Sequence, residues 1–257
     1  MEDRVAFISG AGSGIGQAAA VLLARRGTRV ALAGRTPDEL TEVAEEIGAA
    51  GGSALTVPCD VSDEASVREA IATTVETWGR LDVVVANAGI NGTWAGIDTL
   101  TVDDFRTTLD INLVGTFTTI KYAVPHLRRR GGSVIVTSSV NGTRIFSNSG
   151  ASAYSSSKAG QVALAKMLAV ELGSDKIRVD VVCPGAISTE ISDNTKAEND
   201  DVKIPVEYPE GHIPLTGDEP GTADQVGELI AFLASDQARH ISGTELWIDG
   251  AQSLLQG

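Results

Sequence analysis

Seven short runs constrain the fold more than any other feature of the chain. Val5–Ser9, Val30–Ala33, Ala54–Val57, Leu81–Ala86, Ser133–Thr137, Arg178–Val182 and Glu245–Ile248 are rich in β-branched and small apolar residues. Most lack the alternation of a half-wetted strand; Val83, Val84 and Val85 are apolar at consecutive positions. Strands of this kind are buried on both faces, as in a parallel sheet sandwiched between helices. Helix-like stretches separate them. Ile15–Arg26 repeats apolar residues at Ile15, Ala18, Ala19, Leu22 and Leu23 and then meets Gly27, a stop signal. Ser62, followed by Asp63 and Glu64, starts another helix with acid in its first turn. Thr222 and Gln225 read as a capping box ahead of Val226, Leu229, Ile230 and Leu233. The alternation predicts an α/β fold: one doubly wound parallel sheet with helices on both faces and right-handed crossovers, a single domain over residues 1–257.

Charge narrows the function. The chain carries 20 Lys+Arg against 34 Asp+Glu, a formal net charge of -14. Nucleic-acid binding needs a basic stripe for phosphate contacts, and an acidic chain is repelled by anionic membrane surfaces, so neither partner is expected. No apolar run reaches the ~18 residues of a membrane-spanning helix. The start, Met1-Glu2-Asp3-Arg4, does not read as a signal peptide, and the two cysteines, Cys59 and Cys183, form neither a disulfide framework nor a metal-ligand cluster. A cytoplasmic setting and no metal are expected.

The first strand runs into Ser9-Gly10-Ala11-Gly12-Ser13-Gly14-Ile15-Gly16 and then a helix. Such a turn aims backbone N–H groups and the positive helix end at an anion, and glycine lets the backbone approach a pyrophosphate closely. The spacing G-x-x-x-G-x-G, between strand and helix, points to dinucleotide binding. Near the end of the second strand such folds choose their cofactor: a carboxylate there serves the adenine ribose of NAD, an arginine the 2′-phosphate of NADP. Here Gly34 leaves room, Arg35 offers a planar cation and Thr36 a hydroxyl, so NADP(H) is favoured over NAD(H). The competing reading is a solvated Arg35, with Asp38 or a water serving the ribose.

Tyr154 and Lys158 stand at i and i+4, on one face of a helix. A phenol of pKa about 10 is a poor base at neutral pH. A neighbouring ammonium and an oxidised nicotinamide would lower that value, so that Tyr154 can exchange a proton with an alcohol or a forming alkoxide. Ser139 closes a strand, where its hydroxyl can donate to a substrate oxygen. Asn112 lies inside a helical pattern that asparagine does not favour locally.

Taken together, these segments resemble the short-chain dehydrogenases/reductases, a Rossmann-type family, over nearly the whole chain. Gly10, Ser13, Gly14, Ile15 and Gly16 match the cofactor loop, with Ser9 where the family usually has threonine. Asp60 and Val61, after Cys59, resemble the segment that meets the adenine. Asn87, Ala88 and Gly89 resemble the N-A-G motif, and Pro184, Gly185, Ile187 and Thr189 the nicotinamide-side P-G motif. Asn112, Ser139, Tyr154 and Lys158 resemble the catalytic tetrad, with Tyr154 and Lys158 also touching cofactor. One departure is an interval from Ser139 to Tyr154 about two residues longer than usual, with the extra length in residues 141–151. The resemblance implies hydride transfer between NAD(P)(H) and a secondary alcohol or ketone, with Asn112 holding a water on the proton path. It also implies a homo-tetramer built on helices within residues 103–130 and 152–173.

Two other functions compete. A non-catalytic dinucleotide-sensing regulator would be expected to lose the tyrosine or lysine. A carrier-linked 3-oxoacyl reductase would need a basic landing surface; Arg128-Arg129-Arg130 is a candidate, and more simply a helix end where cations suit the dipole. Residues 190–220 hold nine acidic residues against Lys196 and Lys203, which disfavours an anionic partner. That stretch also contains Pro205, Pro209, Pro214 and Pro220 and little periodicity. It follows a strand's carboxyl end, so it is expected to form a substrate lid, with Tyr208, Ile191, Ile204 and Val206 closing on the substrate.

Overall fold

Each doubly apolar run becomes a strand with its side chains divided between two cores. In the computed structural model, which describes residues 1, 3–189, 191, 194–198, 202 and 213–255, the elements before the chain's midpoint are β1 (Val5–Ser9), α1 (Gly14–Arg25), β2 (Arg29–Gly34), α2 (Pro37–Ala49), β3 (Ala54–Pro58), α3 (Glu64–Trp78), β4 (Val83–Ala86), β5 (Gly92–Ala95), α4 (Val102–Leu109) and α5 (Gly115–Leu127). They are followed by β6 (Gly132–Thr137), α6 (Ser152–Glu171), β7 (Ile177–Pro184), β8 (Ile187–Ser188), β9 (Thr195–Glu198), β10 (Gly221–Thr222), α7 (Ala223–Leu233) and β11 (Glu245–Ile248).

Seven strands form one sheet in the order β11-β7-β6-β4-β1-β2-β3, every pairing parallel. Odd and even positions along β1 feed opposite faces. Val5 and Phe7 join Val84, Val134, Val136 and Val179 under α3, α5 and α6. Ala6 and Ile8 join Leu32, Val85, Ile135 and Val182 under α1, α2 and α7. β1 pairs with β2 on one side and β4 on the other, so the strand order reverses between β1 and β4. Parallel strands put all carboxyl ends at one edge, and open α/β sheets bind ligands at such a reversal.

Expected boundaries shift for identifiable reasons. β4 starts at Val83 rather than Leu81 because Asp82 is occupied otherwise: its carboxylate accepts from Val5 N at 2.8 Å and from Arg80. α3 is capped by Asp63, which accepts from Ala65 N at 2.9 Å, while Ser62 donates to Asp60 instead. The Thr222–Gln225 capping box forms in both directions. Four short strands, β5, β8, β9 and β10, were not expected; β5 pairs with β9 and β8 with β10 in two small parallel ladders.

Much of the expected lid, including Tyr208, Ile204 and Val206, lies outside the described residues. Some of its described residues are anchored, although Leu215 is 80% exposed. β9 is held by its ladder, Asn91 Nδ2 donates to Thr195 Oγ1 at 2.8 Å, and Ile213 is buried. Among the described residues no helix is long and apolar enough to cross a membrane.

Candidate functional site

The loop between β1 and α1 opens at the strand reversal. Gly10 and Gly14 have φ of +65° and +52°, backbone that favours glycine. A Cβ on Gly16 would lie 2.0 Å from the Gly10 carbonyl oxygen, so glycine there lets helix and loop pack closely. Ser9 Oγ ties the ends of β1 and β4 by accepting from Asn87 N at 3.0 Å and Ala88 N at 3.1 Å. Asn87 Nδ2 returns bonds to the carbonyls of Ser9 and Gly10, both at 3.2 Å. At the start of α1, Ser13 makes no side-chain cap and the first turn carries no acid. The positive end of α1 is thus left for an anion.

One cavity of about 520 Å³ extends from Gly34, Arg35 and Thr36 along this loop to Tyr154 and Lys158. Ser13, Gly14 and Ile15 line it, as do Asp60, Val61, Asn87, Ala88 and Gly89. Pro184, Gly185, Ile187 and Thr189 complete the wall with Ser139. Gly10 lines it too, whereas Gly16 and Asn112 stand behind the wall. At the Arg35 end the sequence reading missed one acid. Glu39, not Asp38, lines the cavity, and a Cβ on Gly12 would meet its Oε2 at 2.7 Å. The signal was present in the helical period: Leu40, Val43 and Ile47 are the buried positions of α2, and Glu39 flanks that stripe. Asp60 Oδ1 accepts from Ser62 N and Oγ, and these bonds, with a smaller contribution from Arg35, hold its carboxyl below the usual range.

At the other end α6 presents Tyr154 and Lys158 from one face, both buried. Lys158 Nζ lies 5.6 Å from the centre of the Tyr154 ring and donates to the Thr137 carbonyl at 3.0 Å. Ser139 hydrogen-bonds the Tyr154 phenol, and its Oγ accepts from Asn141 N at 3.2 Å. Ser138 instead donates to the Lys158 carbonyl at 2.9 Å. Ser138 is thus turned to the α6 backbone, while Ser139 is the serine that acts on the Tyr154 phenol. Within residues 141–151 the turn at Gly150 is anchored by its carbonyl, which accepts from Ala95 N.

The electrostatics differ from the sequence expectation. Burial raises Tyr154 above its ordinary value, with the Ser139 bond partly opposing it. Burial also lowers Lys158 to about 8. The protein alone therefore does not hold the phenol down through its lysine, because both groups have left water.

Asn112 lies in a π-helical turn, Asp110–Val114, between α4 and α5. Its Oδ1 accepts from Ile90 N at 2.8 Å; its Nδ2 donates to Ile90 O at 2.9 Å and Ser157 Oγ at 3.0 Å. Both amide hydrogens and one acceptor site of the oxygen are used within the protein, clamping α6 to the segment after β4. Trp94, on β5, packs beside Tyr154 with ring centres 6.4 Å apart.

The residues present fit a dinucleotide. The cavity is elongated, its middle is a glycine cradle at an uncapped helix end, and its two ends carry different polar chemistry. Comparison with known proteins agrees. Residues 10–251 match the family model described as Enoyl-(Acyl carrier protein) reductase. A solved 3-ketoacyl-ACP reductase from Sinorhizobium meliloti 1021 is 51% identical, with a TM-score of 0.93 over 98% of this chain and 99% of that one. Carveol dehydrogenase from Mycobacterium avium, solved in complex with NAD, is 31% identical, with a TM-score of 0.88 over 99% of both chains. Trans-4-hydroxycyclohexanecarboxylate dehydrogenase from Sinomonas cyclohexanicum is 37% identical over 257 residues, 98% of this chain and 93% of that protein.

Proposed function

This chain belongs to the short-chain dehydrogenase/reductase family, and from that premise we propose that it is an NAD(P)-dependent oxidoreductase interconverting a small secondary alcohol and its ketone. The observation that carries the reading is the convergence of Tyr154, Lys158 and Ser139 at one end of a cavity whose middle is the glycine cradle. When bound, the nicotinamide supplies or accepts the hydride.

The chain's residues do the rest. Tyr154 gives a proton at its phenolic oxygen to the ketone oxygen, or takes one from the alcohol. Ser139, bonded to that phenol, orients the substrate oxygen beside it. Lys158 adds positive charge next to the phenol and holds the nicotinamide ribose, its amine steadied by the Thr137 carbonyl. Asn112 acts one layer back, holding α6 in place and supporting the proton path. Gly10, Ser13, Gly14 and Ile15 hold the pyrophosphate, with Gly16 packing the loop onto its helix. Asp60 and Val61 meet the adenine. Asn87, Ala88 and Gly89, with Pro184, Gly185, Ile187 and Thr189, hold the nicotinamide half.

Within this reading NADP(H) is favoured over NAD(H), on the support of Arg35 and Thr36 in the cavity wall and no carboxylate at the strand end. Glu39 is the competing feature, a carboxylate able to serve a ribose hydroxyl. A homo-tetramer is supported by apolar side chains left exposed on helices in the two expected segments: Phe117, 46% exposed, on α5, and Val170, 84% exposed, on α6. A cytoplasmic setting is supported by Cys59 and Cys183, which are free thiols. A second reading, reduction of a carrier-linked 3-oxoacyl group, is favoured by the 51% identity to the Sinorhizobium reductase.

A panel of secondary alcohols with NAD⁺ and NADP⁺, and of ketones and 3-oxoacyl thioesters with NADH and NADPH, read at the nicotinamide absorbance, tests all of this. Turnover of free alcohols or ketones is expected. No turnover of any member would reject the enzyme reading, and turnover of thioesters alone would select the second. NADH binding much more tightly than NADPH would overturn the cofactor preference and make Glu39 the ribose partner.

A further inference from the structure

A second cavity, of about 570 Å³, lies at the amino edge of the sheet, opposite the dinucleotide cavity. It is lined by Arg4, Arg80, Arg130, Lys176, Arg178 and Arg239. Six of the chain's 20 Lys+Arg therefore face one recess in a molecule of net charge -14. Among the described residues, only Asp82 and Asp236 line it with the opposite sign.

Three of the six cations are already engaged. Arg80 makes a two-pronged contact with Asp82, at 2.8 and 2.6 Å; Arg4 pairs with Asp236, and Arg178 with Asp180 at 3.2 Å. Arg130, Lys176 and Arg239 have no carboxylate within ion-pair distance among the described residues. Arg178 is mostly buried, its side chain 15% exposed. Burial first, and the like charge of Arg4 among the rest, pull Arg178 below the usual guanidinium range. Its guanidinium is also spent on the carbonyls of Leu233, Ser235 and Ile241, so the positive charge open to an anion from solvent is that of Arg130, Lys176 and Arg239.

The wall beside them is backbone at close quarters. Gly131 has φ +78°, and a Cβ there would lie 2.7 Å from the Lys176 carbonyl oxygen; on Gly132 it would lie 2.6 Å from that of Asp82. Arg128, by contrast, is spent on Asp175. Of the three consecutive arginines, Arg130 is the one that lines the recess.

We propose that this cavity binds a small polyanion carrying two or more phosphate groups, at a site separate from the dinucleotide. Three unpaired cations exceed what one monoanion neutralises. Guanidinium forks match phosphate oxygens two at a time. The three unpaired cations are exposed and line one recess, which a small ligand with several anionic oxygens can enter.

The test is calorimetric titration of the dinucleotide-saturated protein with tripolyphosphate, with ATP and with a poly-glutamate peptide. One site per chain is expected for the two phosphate probes, retained with dinucleotide present and weakening as salt rises. The triple variant Arg130→Ala, Lys176→Ala, Arg239→Ala should lose at least tenfold in affinity while keeping the parent's turnover and melting temperature. Arg239→Glu alone, a single exposed change, should weaken binding by several-fold and covers the case of a misfolded triple variant. Absence of binding with dinucleotide present, unchanged affinity in these variants, or poly-glutamate binding as tightly as tripolyphosphate would each overturn the proposal.

Discussion

Two opposing demands meet at Tyr154. Its phenol must exchange protons, yet burial raises its pKa and lowers that of the lysine beside it. Tyr154→Phe keeps the ring against Trp94 and removes only the hydroxyl. Turnover should fall by about 10²–10⁴, the range for general acid–base catalysis, with dinucleotide affinity within a few-fold. Steady-state rates and a fluorescence titration check this; retention of more than about a tenth of kcat rejects the role. Lys158 gives a prediction in stability. Its amine keeps its proton up to about 10.5 in an unfolded chain but only to about 8 in the fold. Between these values the unfolded state binds more protons, so stability rises with pH there, and below pH 8 the burial cost is complete. Each unit of displacement is about 1.4 kcal/mol. Lys158→Met should therefore melt above the parent at pH 7, and the gap should close progressively from pH 8 towards 10, below the range where Tyr154 titrates. Melting curves across that range decide it, and a gap independent of pH would show that the buried charge is not its origin.

Among the elements, the π-helical turn at Asp110–Val114 joins α4 to α5 and puts Asn112 where it reaches both Ile90 and α6. Asn112→Ala would leave the Ile90 N–H and C=O without these partners. At about 1–3 kcal/mol for each group so stranded, the variant should lose about 2–6 kcal/mol. At about 2–4 °C per kcal/mol for a chain near this size, Tm should fall by about 4–24 °C. Calorimetry and kcat should fall together, because the clamp holds the helix that carries Tyr154. A Tm within a degree or two of the parent would remove the clamp from the account. The seven sheet strands were legible because a strand buried on both faces has to be written in apolar residues. The cradle was legible because Gly10 and Gly14 stand where positive φ is required. β9 was not, since Thr195-Lys196-Ala197-Glu198 has no pattern of its own and becomes a strand only where tertiary structure brings it beside Gly92–Ala95. Likewise Asn112 stood out as a misfit in a helix, but its partners on another segment are not encoded near it. The burial of Tyr154 and Lys158 was not legible, because spacing reports proximity and not desolvation.

For the whole molecule, the exposed apolar side chains of α6 bear on assembly. Met167 and Val170 project from α6 at 70% and 84% exposure. The proposed homo-tetramer would cover this face. Met167→Glu with Val170→Glu should yield a smaller species in sedimentation while the circular dichroism stays native. An unchanged sedimentation coefficient would place the interface elsewhere. The order of strands also sets a timetable for synthesis. β1, made first, lies inside the sheet between β2 and β4; its flank of β3, β2, β1 and β4 has every strand once residue 86 has emerged, whereas β11, made last, adds only to the outer edge of β7. On the ribosome, the half of the cleft built on the glycine turn is ready to form while Tyr154 and Lys158 are still untranslated. A nascent chain can thus acquire a grip on its nucleotide before it acquires any chemistry.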